Sequence, residues 1–217
     1  VSVRTQRYRL DQKGLLYDMS DDPGQDRDIS KSEPEVTARL SEAQAQWKEE
    51  LLPGLTDDDR PFPVGYREFP TTHLPARDGV AHGNVQRSAR APNCSYFTNW
   101  TSTEDEITWD VEVATSGTYE AVVYYTCPEE DIGSTFELSF GESRIRKKLT
   151  EAHDPPLRGA EHDRASRGSE SFVKDFKPLR LGRFRLQQGR GPLALQAVEI
   201  PGNQVMDVRY VVLTLVD

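Results

Sequence analysis

The sequence predicts a mainly β protein: an antiparallel, jelly-roll-like β-sandwich over residues 70–217, preceded by a small strand-plus-helix α+β element over residues 1–54. Three observations carry this expectation. Apolar residues recur every three or four positions between Val36 and Leu51, but every second position in the later runs. Turns marked by glycine and proline separate those runs at short intervals, with no helical pattern between them. Finally, 217 residues suit one large domain, or a small element plus a domain of ordinary size.

The first element opens with the apolar run Leu15-Leu16-Tyr17, which ends at Asp22-Pro23-Gly24. Proline presets φ and glycine tolerates φ > 0, so a strand stops there at a turn. A helix over 33–51 follows. Ser32 and Glu35 read as a Ser-x-x-Glu capping box, and Pro34 falls in the first turn, where a missing N–H costs little. Val36, Leu40, Ala43, Trp47 and Leu51 make one apolar stripe, which Pro53-Gly54 ends. Residues 55–69 hold an acidic run, two prolines and a glycine, yet Phe62, Tyr66 and Phe69 are too apolar for a free tether. A packed linker is expected.

Strands of period two come next. Ile107, Trp109, Val111 and Val113 alternate with polar residues before Ser116-Gly117, then Tyr119, Ala121, Val123 and Tyr125, then Phe136, Leu138 and Phe140 up to Gly141. Later strands are expected over 182–186, 193–197 and 205–216. The last of these is apolar at both parities, so it reads as central and covered on both sides. The segment 150–175 fits no strand spacing, and a loop of that length is more often functional or disordered than idle.

Composition narrows the function classes. Thirty-six acidic against twenty-seven basic residues give a net charge of −9, which argues against a nucleic-acid partner. No apolar run is long enough to span a membrane as a helix. Two cysteines, Cys94 and Cys127, admit either a disulfide or two inert thiols. A bridge would close a loop of about 33 residues and contribute about 3.7 kcal/mol.

The order of strand, Leu-Tyr-Asp, Asp-Pro-Gly turn and helix over residues 15–51 resembles the C-terminal subdomain of sulfatases of the alkaline-phosphatase-like superfamily. Arg4–Leu10 is similar to that subdomain's tail strand. Gln25 and Asp28 stand where the family usually has Glu and Asn. Beginning at Val1 inside this pattern, the chain reads as the tail of a longer protein.

A second resemblance covers the sandwich. Trp109, Val111, Val113, Gly117, Tyr119, Gly133, Ser134, Glu137, Leu138, Gly141, Gly189, Leu193, Leu195, Asp207 and Val211 keep the order found in galactose-binding-like β-sandwiches, carbohydrate-binding modules among them. These are core and turn positions, so they mark a fold more than a ligand. Together the resemblances imply the C-terminal part of a secreted sulfatase, a sulfuric ester hydrolase acting on sulfated carbohydrate in the periplasm or outside the cell. Its partners would be its own N-terminal catalytic domain and sulfated polysaccharide. Calcium and formylglycine would belong to that catalytic domain. The family's "(C/S)-x-P-x-R" motif is absent here, since Cys94 is followed by Ser95-Tyr96-Phe97 and Cys127 by Pro128-Glu129-Glu130. No catalytic residue carries over. The alternative is a stand-alone carbohydrate-binding or structural module.

Candidate site residues follow. Tyr96, Asn99 and Trp100 cluster before the first clear strand, where they form either a glycan platform or packing. His153, Asp154, His162 and Asp163 are apt metal donors in the long loop, though not at zinc-motif spacing; the plain reading is a solvated loop. Asp207 sits near where related modules place a structural calcium ligand, and an ion pair with Arg209 is the simpler expectation.

Overall fold

The computed structural model describes residues 1–55, 60–91, 93–159, 161, 164, 166 and 168–217. Contacts divide the chain into two compact units, Val1–Arg60 and Pro61–Asp217.

In the first unit, strands β1 (Val3–Arg4), β2 (Tyr8–Leu10) and β3 (Leu16–Asp18) form an antiparallel sheet, and helix α1 spans Pro34–Leu51. The expected single strand over Arg4–Leu10 is a hairpin, because the Thr5 hydroxyl accepts the Tyr8 N–H (2.8 Å) and bends the chain. Leu10, Leu16 and Leu40 are its buried core. The Asp-rich stretch is a turn that satisfies itself. Asp28 accepts N–H groups from Leu16 (3.1 Å) and Ser30 (2.9 Å), and Asp22 accepts those of Asp26 (3.1 Å) and Arg27 (2.9 Å). Backbone donors therefore hold both carboxyls below the usual range.

Two expectations about α1 are corrected. No side chain caps its N-terminus: Glu33 holds the cap position, while the Ser32 hydroxyl donates to the Ile29 carbonyl (3.1 Å). The apolar stripe also stops short, for Trp47 is 58% exposed. Gln44 is buried instead, and its amide donates to the carbonyls of Val1 (2.8 Å) and Asp11 (3.1 Å).

The second unit is a sandwich of two six-stranded sheets. Its strands are β4 (Phe62–Val64), β5 (Thr71–Pro75), β6 (Val80–His82), β7 (Gln86–Arg87), β8 (Phe97–Thr98), β9 (Glu106–Val113), β10 (Gly117–Thr126), β11 (Thr135–Phe140), β12 (Ser143–Lys148), β13 (Lys177–Leu186), β14 (Gly189–Glu199) and β15 (Asp207–Leu215). One sheet runs β13-β10-β15-β8-β7, with β5 also on β15; the other runs β12-β11-β14-β9-β4, with β6 also on β9. All pairings are antiparallel except that β4 lies parallel to β9. Phe62–Val64, expected in the linker, thus belongs to the sandwich.

Alternation explains the core. Ile107, Trp109, Val111 and Val113 of β9, and Tyr119, Ala121 and Val123 of β10, are fully buried. Buried aromatics find partners for their polar tips: Trp109 Nε1–H donates to the Pro75 carbonyl (2.9 Å), Tyr119 to Thr115 (2.6 Å) and Tyr125 to Glu151 (2.9 Å). Strand β15 is central, flanked by β10 on one side and by β8 and β5 on the other. It is not covered on both faces, however. Val211 and Leu213 are buried, whereas Tyr210, Val212 and Thr214 lie half-buried on the outer side.

Candidate functional site

That outer side is the most site-like feature of the described residues. Residues directly opposite in an antiparallel pair point to the same face, so register defines rows across β13, β10, β15 and β5. One row is Pro178, Tyr124, Tyr210 and Pro75; the next is Arg180, Val122, Val212 and His73; the third is Arg183, Glu120, Thr214 and Thr71. Tyr124 and Tyr210 stack with ring centroids 4.3 Å apart and planes 29° apart, and His73 lies 5.6 Å from Tyr210. Burial first, then the neighbouring Tyr124, pushes the Tyr210 phenol above its ordinary value, so it remains a neutral hydroxyl.

His73 also links this row to a groove of about 380 Å³ lined by Phe62, Pro63, Tyr66, Phe69, Thr71 and Thr72. A tight turn, in which the Phe69 N–H donates to the Tyr66 carbonyl (3.0 Å), presents both aromatics outward. Phe69 is 78% exposed and Tyr66 50%, while Phe62 packs against the core. The result is a track of apolar faces, with hydroxyls at Tyr124, Tyr210 and Thr71 for hydrogen bonding. Planar rings with adjacent hydroxyls suit a ligand with one apolar face and many hydroxyls. Sequence reasoning missed this track. The available signal was an aromatic at the outward parity of a strand, Tyr124 between the inward Val123 and Tyr125.

The predicted aromatic cluster lies elsewhere and is inward. Trp100 is 1% exposed and meets Phe136 edge-on at 6.3 Å, and Tyr96 is buried against Phe176 at 5.3 Å. Neither can offer a ring face to a sugar. Asn99, in a left-handed conformation (φ 60°), donates its amide to the Asn84 carbonyl (2.7 Å) and so holds a turn. Loop closure there centres on Asp105, which is 1% exposed and accepts N–H groups from Asn84 (2.7 Å), Ser102 (2.8 Å) and Thr101 (3.0 Å).

The other candidates also resolve into structural roles. Cys94 is exposed and Cys127 buried, and both are free thiols, so the disulfide is not formed. Burial, then nearby acids, pushes the Cys127 thiol up to about 12. Asp207 pairs with Lys174 Nζ (2.7 Å) and accepts from the Thr126 hydroxyl (3.3 Å); Arg209 reaches the Ser95 carbonyl instead. Lys174 belongs to the long loop and arrives from outside the strand order, which is why adjacency in sequence suggested the wrong partner. His153 Nε2 contacts the Asp175 carbonyl (2.6 Å), and Asp154 is exposed. His162 and Asp163 lie outside the described residues. Among the described residues, no group of three or more His, Cys, Asp or Glu could hold a metal.

No protein-family profile matches the chain, and no curated protein sequence does. Among solved structures it is similar to a family 35 carbohydrate-binding module from Clostridium thermocellum (12% identity, TM-score 0.42, 67% of this chain and 98% of that one). It is also similar to the C-terminal family 6 module of a marine laminarinase from Zobellia galactanivorans (10%, 0.47, 66% and 98%). The Podospora anserina β-(1,4)-mannanase with a family 35 module matches at 13% identity and a TM-score of 0.45, over 68% of this chain and 28% of that one.

Proposed function

We propose that the β-sandwich binds a polysaccharide chain across the outer face of β10, β15 and β5. The observation that carries this reading is the outward stack of Tyr124 on Tyr210, continued by His73 into the groove beneath Phe69. Aromatic faces held in place by a sheet bind sugar rings with little ordering cost. Tyr210→Ala and Phe69→Ala, made singly in the full chain, test it by affinity electrophoresis through a panel of soluble polysaccharides. Retardation of the wild type that both substitutions weaken, with the melting temperature held within a few degrees, is the expected result. No retardation on any polysaccharide overturns the reading.

We further propose that this segment is the C-terminal part of a secreted sulfatase acting on sulfated carbohydrate. The resemblance over residues 15–51 supports it. The cofactor chemistry would lie outside this segment. Neither cysteine has the formylglycine motif. Genomic sequence upstream tests the proposal: a "(C/S)-x-P-x-R" motif several hundred codons earlier in the same frame is expected, and a start codon next to Val1 refutes it.

A further inference from the structure

We infer that the polysaccharide taken by this face is anionic, its sulfate or carboxylate groups paired with a row of arginines on β13; the inference rests on the glycan reading above. Arg180, Arg183 and Arg185 all project to the same outer face as Tyr124 and Tyr210, because they stand opposite the outward Val122, Glu120 and Thr118. Arg180 is the diagonal neighbour of Tyr124, within reach of a long side chain. Arg183 and Arg185 are two residues apart, so their attachment points are about 6.8 Å apart along the strand. The acid on this side of the face is Glu120, which Arg180 contacts at 3.0 Å while its own side chain stays 80% exposed. Among the described residues, Arg183 and Arg185 make no ion pair.

A second basic row stands on the outer side of the other sheet. Strand β12 meets β13, and its outward residues are Arg144, Arg146 and Lys148, opposite Ser139, Glu137 and Thr135. Glu137 engages both arginines (3.2 and 2.7 Å), yet their side chains remain 53% and 64% exposed. In a chain of net charge −9, a strip this rich in cations is a local reversal of field. Guanidinium groups pair with planar or tetrahedral oxyanions through two donors at once. Beside them, the tyrosine row supplies the apolar contact that a sugar ring needs and a free anion does not. The two features together select a polymer carrying both.

Affinity electrophoresis of the full chain through dextran sulfate, polygalacturonate and neutral dextran provides the test, with duplex DNA as a polyanion whose charges are backbone phosphodiesters and not substituents of a polysaccharide. Arg183→Ser/Arg185→Ser should weaken binding to at least one charged polysaccharide about five- to tenfold, as two exposed ion pairs would. It should leave the melting temperature unchanged, and the loss should match that caused by raising salt. Preference for dextran sulfate assigns sulfate esters, and preference for polygalacturonate assigns carboxylates. Tyr210→Ala should weaken the same binding. If the arginine variant binds charged and neutral polymers as the wild type does, the anionic inference falls and the glycan reading stands. If no polysaccharide binds, both fall. Equal or tighter binding of DNA, insensitive to Tyr210→Ala, overturns the inference in favour of a general polyanion surface.

Discussion

Replacing Trp100 by alanine separates packing from recognition. The side chain is 1% exposed and meets Phe136 edge-on, and the Trp100 carbonyl accepts the Val205 N–H (2.8 Å) at the approach to β15. Truncating a buried tryptophan costs about 3–5 kcal/mol. One term offsets this: Trp100 Nε1–H has no hydrogen-bond partner among the described residues, and removing a buried orphan donor recovers roughly 1 kcal/mol. A net loss of about 2–4 kcal/mol in a unit the size of Pro61–Asp217 lowers the melting temperature by roughly 4–16 °C. Trp100→Phe keeps an aromatic edge for Phe136, removes the orphan N–H and leaves a smaller cavity, so it should cost less than Trp100→Ala. Calorimetry of the full chain reads both values, and gel retardation reads polysaccharide binding in parallel below the transition. Trp100→Ala should retain binding at low temperature. A melting temperature within one degree of wild type, together with lost retardation, would refute the assignment of Trp100 to the core and return it to the binding surface.

Asp105→Asn should destabilise the sandwich by about 1–3 kcal/mol at pH 7, because an amide cannot accept all three N–H groups that converge on the carboxylate. Burial alone would raise the Asp105 pKa, but the donors of Asn84, Ser102 and Thr101 outweigh it and hold the value low. Its contribution is therefore full above the unfolded value of about 3.9 and is lost as pH falls through the lower folded value, so acid melts of the variant should be flatter there. Gly65→Ala should be strongly destabilising. At φ +80° its Cβ would overlap the Tyr119 hydroxyl, and the cost should shrink in a Tyr119→Phe background, which a double-mutant cycle measures. Thiol titration should find one reactive cysteine, Cys94, in the native chain at pH 8 and a second only after denaturation, since the buried Cys127 stays protonated.

The regular parts of the fold were legible because periodicity records burial. Strands β9, β10 and β11 have one face in the core, and their alternating residues say so directly. Strand β12, Ser-Arg-Ile-Arg-Lys-Lys, was invisible for the converse reason: it lies at a sheet edge, where charge protects unpaired backbone and erases the apolar pattern. The short strands β5 to β8 carry too few residues to show a period. Site residues were hardest. Trp100 drew attention as an aromatic outside any clear strand, yet tertiary contacts bury it. Tyr124 and Tyr210 stand at outward parity in strands far apart in sequence, and only register shows that they meet across the sheet. Asp207 was matched to the nearest cation in sequence, whereas its partner Lys174 comes from a loop whose course no local pattern specifies.

The parallel pairing of β4 bears on where this protein can be divided. One side of β9 is closed by two short segments, β6 against Glu106–Thr108 and β4 against Val111–Val113. Cutting the chain at residue 70, where the alternating pattern begins, would remove β4 and strip the partner from Val111 and Val113. Their backbone groups would then be left unpaired, as at any sheet edge, and could recruit another copy. Beginning at Pro61 keeps Val111–Val113 paired with β4. The few residues beside the unit boundary thus cover backbone that would otherwise be open to pairing, and a fusion or truncation of the module should retain them.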